Sequence, residues 1–197
     1  MNIAMDSDQE QVQAVLDFWF GSASERGKAR TEWFRKDQGF DEAIRARFLG
    51  LRQQAVAGSL EAWRTSPRSC LALIVVLDQF SRNLFRGSAE AFAGDARALE
   101  AARHACDSGF DLGLLPVERQ FIYLPFEHCE SLAEQDRCCL LMESLRQYPE
   151  TADLHVWAEK HRVIIRRFGR FPHRNAALGR ASTPEEIEFL KTPGSGF

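Results

Sequence analysis

Apolar residues return along this chain at helical spacing from one end to the other. Val12, Val15, Leu16 and Trp19 make a first stripe, preceded by Ser7-x-x-Glu10 as a capping box and closed by Gly21. Asp41 stands at the N-cap position for a helix whose inner face is Ile44, Phe48, Leu51 and Ala55. Ser66-Pro67 is an N-cap followed by proline in the first turn, Gly94-Asp95 opens a helix that runs to Cys106 and ends near Gly109, and Pro116 opens the next. Ser131-x-x-Glu134 is a second capping box. A further helix begins about Thr151 or Asp153 and runs to Phe168, and Thr183-Pro184-Glu185-Glu186 opens the last. No stretch alternates as a strand would. Short connections between such segments predict an all-α fold of about eight to nine antiparallel-packed helices. They form one domain over 1–191, with the glycine-rich end 192–197 as a flexible tail.

Residues 70–77, "CLALIVVL", are apolar on every side and predict a helix buried all round. That helix turns polar at its end, where Asp78 and Arg82, four apart, share a face and can pair. On the helix ending at Phe168 the apolar stripe is Leu154, Trp157, Ala158, Ile164, Ile165 and Phe168, and His161 falls in its middle. A histidine so placed most simply bonds a neighbouring carbonyl or carboxylate. Gly169 then supplies a left-handed cap that turns the chain into the loop "RRFGRFPHRN". Arg119, Tyr123 and Glu127 make a polar line along the helix from Pro116, with His128 and Glu130 beyond it and Pro125 inside it, where it removes a backbone hydrogen bond.

Composition changes this picture little. Apolar residues at 45% and charged residues at 27% are those of an ordinary globular protein. The N-terminus lacks a basic start and an apolar run, no membrane span is present, and a cytoplasmic protein is expected. The five cysteines, an odd number without C-x-x-C (Cys70, Cys106, Cys129, Cys138, Cys139), read as reduced core residues. Charge adds more. The net is −3, yet Lys160 to Arg180 holds Lys160, Arg162, Arg166, Arg167, Arg170, Arg174 and Arg180 with no acid. The basicity is local, so a nucleic-acid partner is not expected.

Three strings, "LDQFSRNLFRG", "RQFIYLPFEHCE" and "RFGRFPHRNAALGRASTPEEIEFL", resemble an uncharacterised bacterial family of unknown function. The resemblance spans nearly the whole chain and implies a TPR-like α-α superhelix; it implies no activity.

The same strings hold the candidate site. Arginine forks bind phosphate and carboxylate, and Asp78, Arg82, Arg119, Tyr123, Glu127, His161, Arg167, Arg170, His173 and Arg174 are the expected lining of a pocket for a small anion. His161, His128 and His173, with Glu127, are the candidates for acid–base chemistry. No nucleophile motif, metal-ligand pattern or cofactor fingerprint accompanies them, and neither a metal nor a cofactor is expected. Two other readings compete. In one, the arginines are internal ion-pair partners of Asp78, Asp95, Glu127 and Glu130; in the other, a TPR-like scaffold takes an acidic peptide.

Overall fold

The computed structural model describes residues 3–196, and among them the regular structure is all helical, with no strand. Its elements are α1 (Ile3–Phe20), α2 (Gln38–Ala57), α3 (Pro67–Ile74), a π-helical stretch (Val75–Phe80), α4 (Ser81–Leu84), α5 (Asp95–Asp107), α6 (Pro116–Glu127), α7 (Leu132–Glu143), α8 (Leu154–Phe168) and α9 (Pro184–Leu190). Short 3-10 turns fill most of the connections.

Several helix ends fall where capping chemistry places them. Ser66 Oγ accepts from the Ser69 amide at the start of α3. Thr183 and Glu186 form a reciprocal capping box on α9. Gly21, Gly58, Gly109 and Gly169 leave their helices with positive φ.

Three expected caps differ. Ser7 lies inside α1, because no glycine or proline interrupts the residues before it and the helix propagates back to Ile3. Asp37 rather than Asp41 caps α2, accepting from the Phe40 amide at 3.0 Å; Asp41, one turn on, instead receives Asn83 and Arg86. Ser131 does begin α7, but its side chain makes no cap, and Glu134 is drawn away to Arg103.

Residues 70–77 are buried throughout, as their uniform apolarity requires. Around α3 and its π-helical continuation pack α1, α2, α5 and α6, while α6, α7 and α8 pack in sequence. Aromatic rings of Phe18, Trp19, Phe48 and Phe80 interlock in this core. A second small cluster of Ile164, Ile165 and Phe171, with Phe168 and Phe189 against it, joins α8 to α9. Trp157 departs from the expected stripe. It is 48% exposed, with the Lys160 ammonium over its ring at 3.9 Å. The chain end is described as far as Gly196, in turns bonded to Phe189 and Leu190; Phe197 lies outside the described residues.

Candidate functional site

The buried central helix delivers its polar end through the π-helical stretch, a widened turn of the kind often found at functional positions. Gly94 packs against the Leu77 carbonyl of that stretch so closely that a Cβ would overlap it. This contact seats the first residue of α5, Asp95, beside the last turn of the buried helix.

There a continuous chain of polar contacts forms. His128 Nδ1, just beyond α6, lies 2.7 Å from Asp78 Oδ1. Arg82 Nη1 reaches the same oxygen at 2.9 Å and donates to Asp95 Oδ1 at 2.8 Å, while Nη2 donates to Asp95 Oδ2 at 3.1 Å. Arg174 Nη1 donates to Asp95 Oδ2 at 3.3 Å. The Arg174 guanidinium lies between the rings of Phe92 and Phe171, 4.7 and 4.6 Å from their centroids. Its side chain is 7% exposed, and among the described residues its buried Nε meets no acceptor.

Beside this chain lies a second pair. Glu127 Oε1 is 3.3 Å from His161 Nδ1, which also lies 2.9 Å from the Trp157 carbonyl. A carbonyl only accepts, so Nδ1 of His161 carries the proton. The rings of His128 and His161 are 6.4 Å apart, and Phe171 stands between His161 and His173 at 5.6 Å from each.

Burial and crowding set the charges. Burial, then the nearby Asp78 carboxylate, pushes the Glu127 carboxyl up to about 8, so it is mostly protonated at neutral pH. Burial pushes His161 down to about 3 and, with Arg174 beside it, His173 down to about 4. Burial and Arg82 likewise lower His128. Burial opposes the charge on Asp78, but Arg82 and His128 outweigh it and hold the carboxyl below its ordinary range. Burial and the Arg82 charge bring Arg174 down to about 10, which still leaves it protonated at neutral pH. The site is thus two guanidiniums against two carboxylates, ringed by neutral imidazoles and a neutral acid.

A family model described as "Bacterial protein of unknown function (DUF924)" matches residues 15–194. This chain belongs to the DUF924 family. A solved structure of a protein of unknown function from Agrobacterium tumefaciens is 38% identical to it, with a TM-score of 0.83 over 93% of this chain and 98% of that one. No curated protein matches.

In this DUF924 chain the residues singled out from sequence divide into three groups. Asp78, Arg82, Glu127, His128, His161, His173 and Arg174 converge as described. Arg119 and Tyr123 form another network: Arg119 donates to the Tyr123 hydroxyl, which donates to Asp111 Oδ2 at 2.6 Å. Arg167 and Arg170 face α9, where Arg167 pairs with Glu185 at 2.9 Å and Arg170 grips Glu186 at 2.6 and 2.8 Å. Arg180 likewise forks onto Glu130 at 2.6 and 2.9 Å. Ion pairing therefore engages Arg82 and most of the loop's cations, in part through the expected acids: Asp78 and Asp95 take Arg82, Asp95 takes Arg174 and Glu130 takes Arg180. Arg167 and Arg170 instead take Glu185 and Glu186, and among the described residues no arginine pairs with Glu127.

The sequence names the hub, Asp95, only as an ion-pair acid outside the candidate lining and Glu186 only as part of a helix opening, and Phe92 carries no signal there. The sequence signal was the helix opening Gly94-Asp95, which fixes where that carboxylate sits but not what it meets. Among the described residues no three His, Cys, Asp or Glu side chains are grouped to hold a metal ion, and no helix is long and apolar enough to cross a membrane.

Proposed function

We propose that this protein binds a small oxyanion, phosphate or carboxylate, on Arg174 with Arg82 beside it. The observation that carries the reading is the state of Arg174. Its side chain is 7% exposed, has one ion-pair contact of 3.3 Å to a carboxylate that Arg82 already holds, and keeps a buried Nε without an acceptor among the described residues. A guanidinium has five N–H donors, and leaving them unmet in burial is costly. An oxyanion on the Nε side meets them and offsets the repulsion of the paired arginines. Asp95 and Arg82, 23% and 20% exposed, form the side open to solvent. Arg167 and Arg170, the cations an acidic peptide would meet first, are engaged by Glu185 and Glu186, which favours a small ligand over a peptide.

Thermal denaturation at fixed ionic strength with inorganic phosphate and small carboxylates tests this. A ligand at 100 times its Kd stabilises by about 2.7 kcal/mol. The wild type is expected to shift, and Arg174→Met is not. Without ligand, Arg174→Met is expected to be as stable as the wild type or more so, because replacing a poorly paired buried charge by an apolar side chain is often neutral or stabilising by about 1–4 kcal/mol. No shift with any anion overturns the reading.

A further inference from the structure

The anion site has a feature that binding alone does not use. His128 Nδ1 lies 2.7 Å from a carboxylate that is ionised at neutral pH, so this nitrogen donates and the lone pair of the neutral ring is on Nε2. Asp78 is itself fixed from three sides: by Arg82, by the neighbouring Gln79 amide and by its place in the buried π-helical stretch. The imidazole is therefore held in one tautomer by an acid that cannot rotate away. Its side chain is 15% exposed, enough for water to reach the ring, whereas Asp78 at 1% is sealed off. One run of contacts, His128 to Asp78, Asp78 to Arg82, Arg82 to Asp95 and Asp95 to Arg174, joins the oriented base to the anion fork.

Resting on the anion-binding reading, we propose that His128 is a catalytic base, with Asp78 its positioning residue, and that the protein hydrolyses a phosphate monoester held on Arg174. The nucleophile is water. The thiols of the nearby Cys129 and Cys138 are pushed up by burial and are not thiolates at neutral pH. Of the two ligand classes, a bound carboxylate gives water no leaving group, whereas a phosphate monoester does. Guanidiniums around the phosphoryl oxygens also stabilise the charge spread over them in the transition state. In the step, the water oxygen bonds to phosphorus as the ester P–O bond breaks. His128 Nε2 takes the water proton, and the leaving alkoxide, on the opposite side of the phosphorus, takes a proton from solvent water; His128 then gives its proton back to solvent. A monoester and water become an alcohol and inorganic phosphate, with no change of oxidation state.

The groups facing His128 are Asp78 and Arg82 from the buried helix, Asp95 from α5, His161 from α8, and His173 and Arg174 from the loop after it; Glu127 precedes it on α6. Activity should rise with pH as His128 loses its proton, at a pH below the ordinary histidine value of 6.5. It should fall again towards pH 8 as Glu127 gains a negative charge beside the site.

The test measures two things on the intact protein and its variants: calorimetric binding of inorganic phosphate, and phosphate release from para-nitrophenyl phosphate and a panel of sugar and nucleoside monophosphates. The expected result is release by the wild type, a fall in kcat of about 10²–10⁴-fold in His128→Asn with phosphate still bound, and loss of binding in Arg174→Met. Asp78→Asn is expected to move the acid limb of the pH profile to lower pH, since the carboxylate favours the charged imidazole. Phosphate binding without release of any monoester's phosphate overturns the catalytic proposal and leaves the anion site standing. So does hydrolysis by His128→Asn at the wild-type rate. Absence of phosphate binding overturns both. If His128→Asn does not fold, the wild-type pH profile decides: a rate with no acid limb below 6.5 removes His128 as the base.

Discussion

Glu127 and the histidines around it give this protein an unusual relation between stability and pH. Glu127 faces Asp78 from the π-helical stretch, His161 from α8 and Cys138 from α7. Its carboxyl goes from 4.5 when unfolded to about 8 when folded, so the folded state binds the extra proton and stability declines as pH rises between those values. The buried histidines act in the opposite sense. His161 and His173 fall from 6.5 to about 3 and about 4, so the stability they permit is present above 6.5 and lost as pH falls below it. Each group contributes a slope of up to about 1.4 kcal/mol per pH unit within its window. Urea denaturation across pH should therefore show stability rising to a maximum near 6.5, where the histidine contribution saturates, and declining towards pH 8. Glu127→Gln, which cannot ionise, should abolish the decline and be more stable than the wild type at pH 8 by on the order of 1–3 kcal/mol.

Helix docking makes the site, and two junctions can be tested. At the start of α5, Gly94 touches the Leu77 carbonyl, and a methyl group there must push the two segments apart. Gly94→Ala should cost about 1–3 kcal/mol as an overpacking change, although alanine is the better helix former. It should also weaken any anion binding, since it displaces Asp95 from Arg82 and Arg174; denaturation and phosphate titration of one sample check both. At the other junction Phe171 is fully buried, against Arg174 and the rings of His161 and His173. Phe171→Ala should cost about 3–5 kcal/mol in denaturant titration, the usual loss for a buried phenylalanine.

Taken over the whole molecule, most arginines of the acid-free run from Lys160 to Arg180 pair with carboxylates from other parts of the chain. Arg162 meets Asp136 of α7, Arg167 and Arg170 meet the first turn of α9, Arg174 meets Asp95 of α5, and Arg180 meets Glu130 between α6 and α7. The loop thus fastens α9 and the end of α6 to the rest of the molecule, and Arg174 is the one of these placed where the core is dry. Arg170→Ala should accordingly lower the melting midpoint by releasing α9, with no effect on phosphate binding. That pattern is the opposite of the one expected for Arg174→Met.

Local chemistry was legible in the sequence wherever it depends on neighbours a few positions away. Ser66-Pro67, Gly169 and the box Thr183–Glu186 act within one turn of backbone, so their spacing was enough, and the uniform apolarity of 70–77 could only mean a buried helix. Asp78 and Arg82 meet because they are four apart, and the widened turn between them did not prevent it. Caps failed where a distant side chain competed, as Arg103 does for Glu134. Partners of charges failed for the same reason. Coulomb attraction and hydrogen bonding act between groups near in space, and Arg174 with Asp95 or Arg180 with Glu130 are far apart along the chain. Sequence therefore set the helices, the buried segment and the excess of arginine. Tertiary packing chose which arginine would be left buried beside another with an unmet donor, because that depends on where helices from distant segments come to rest.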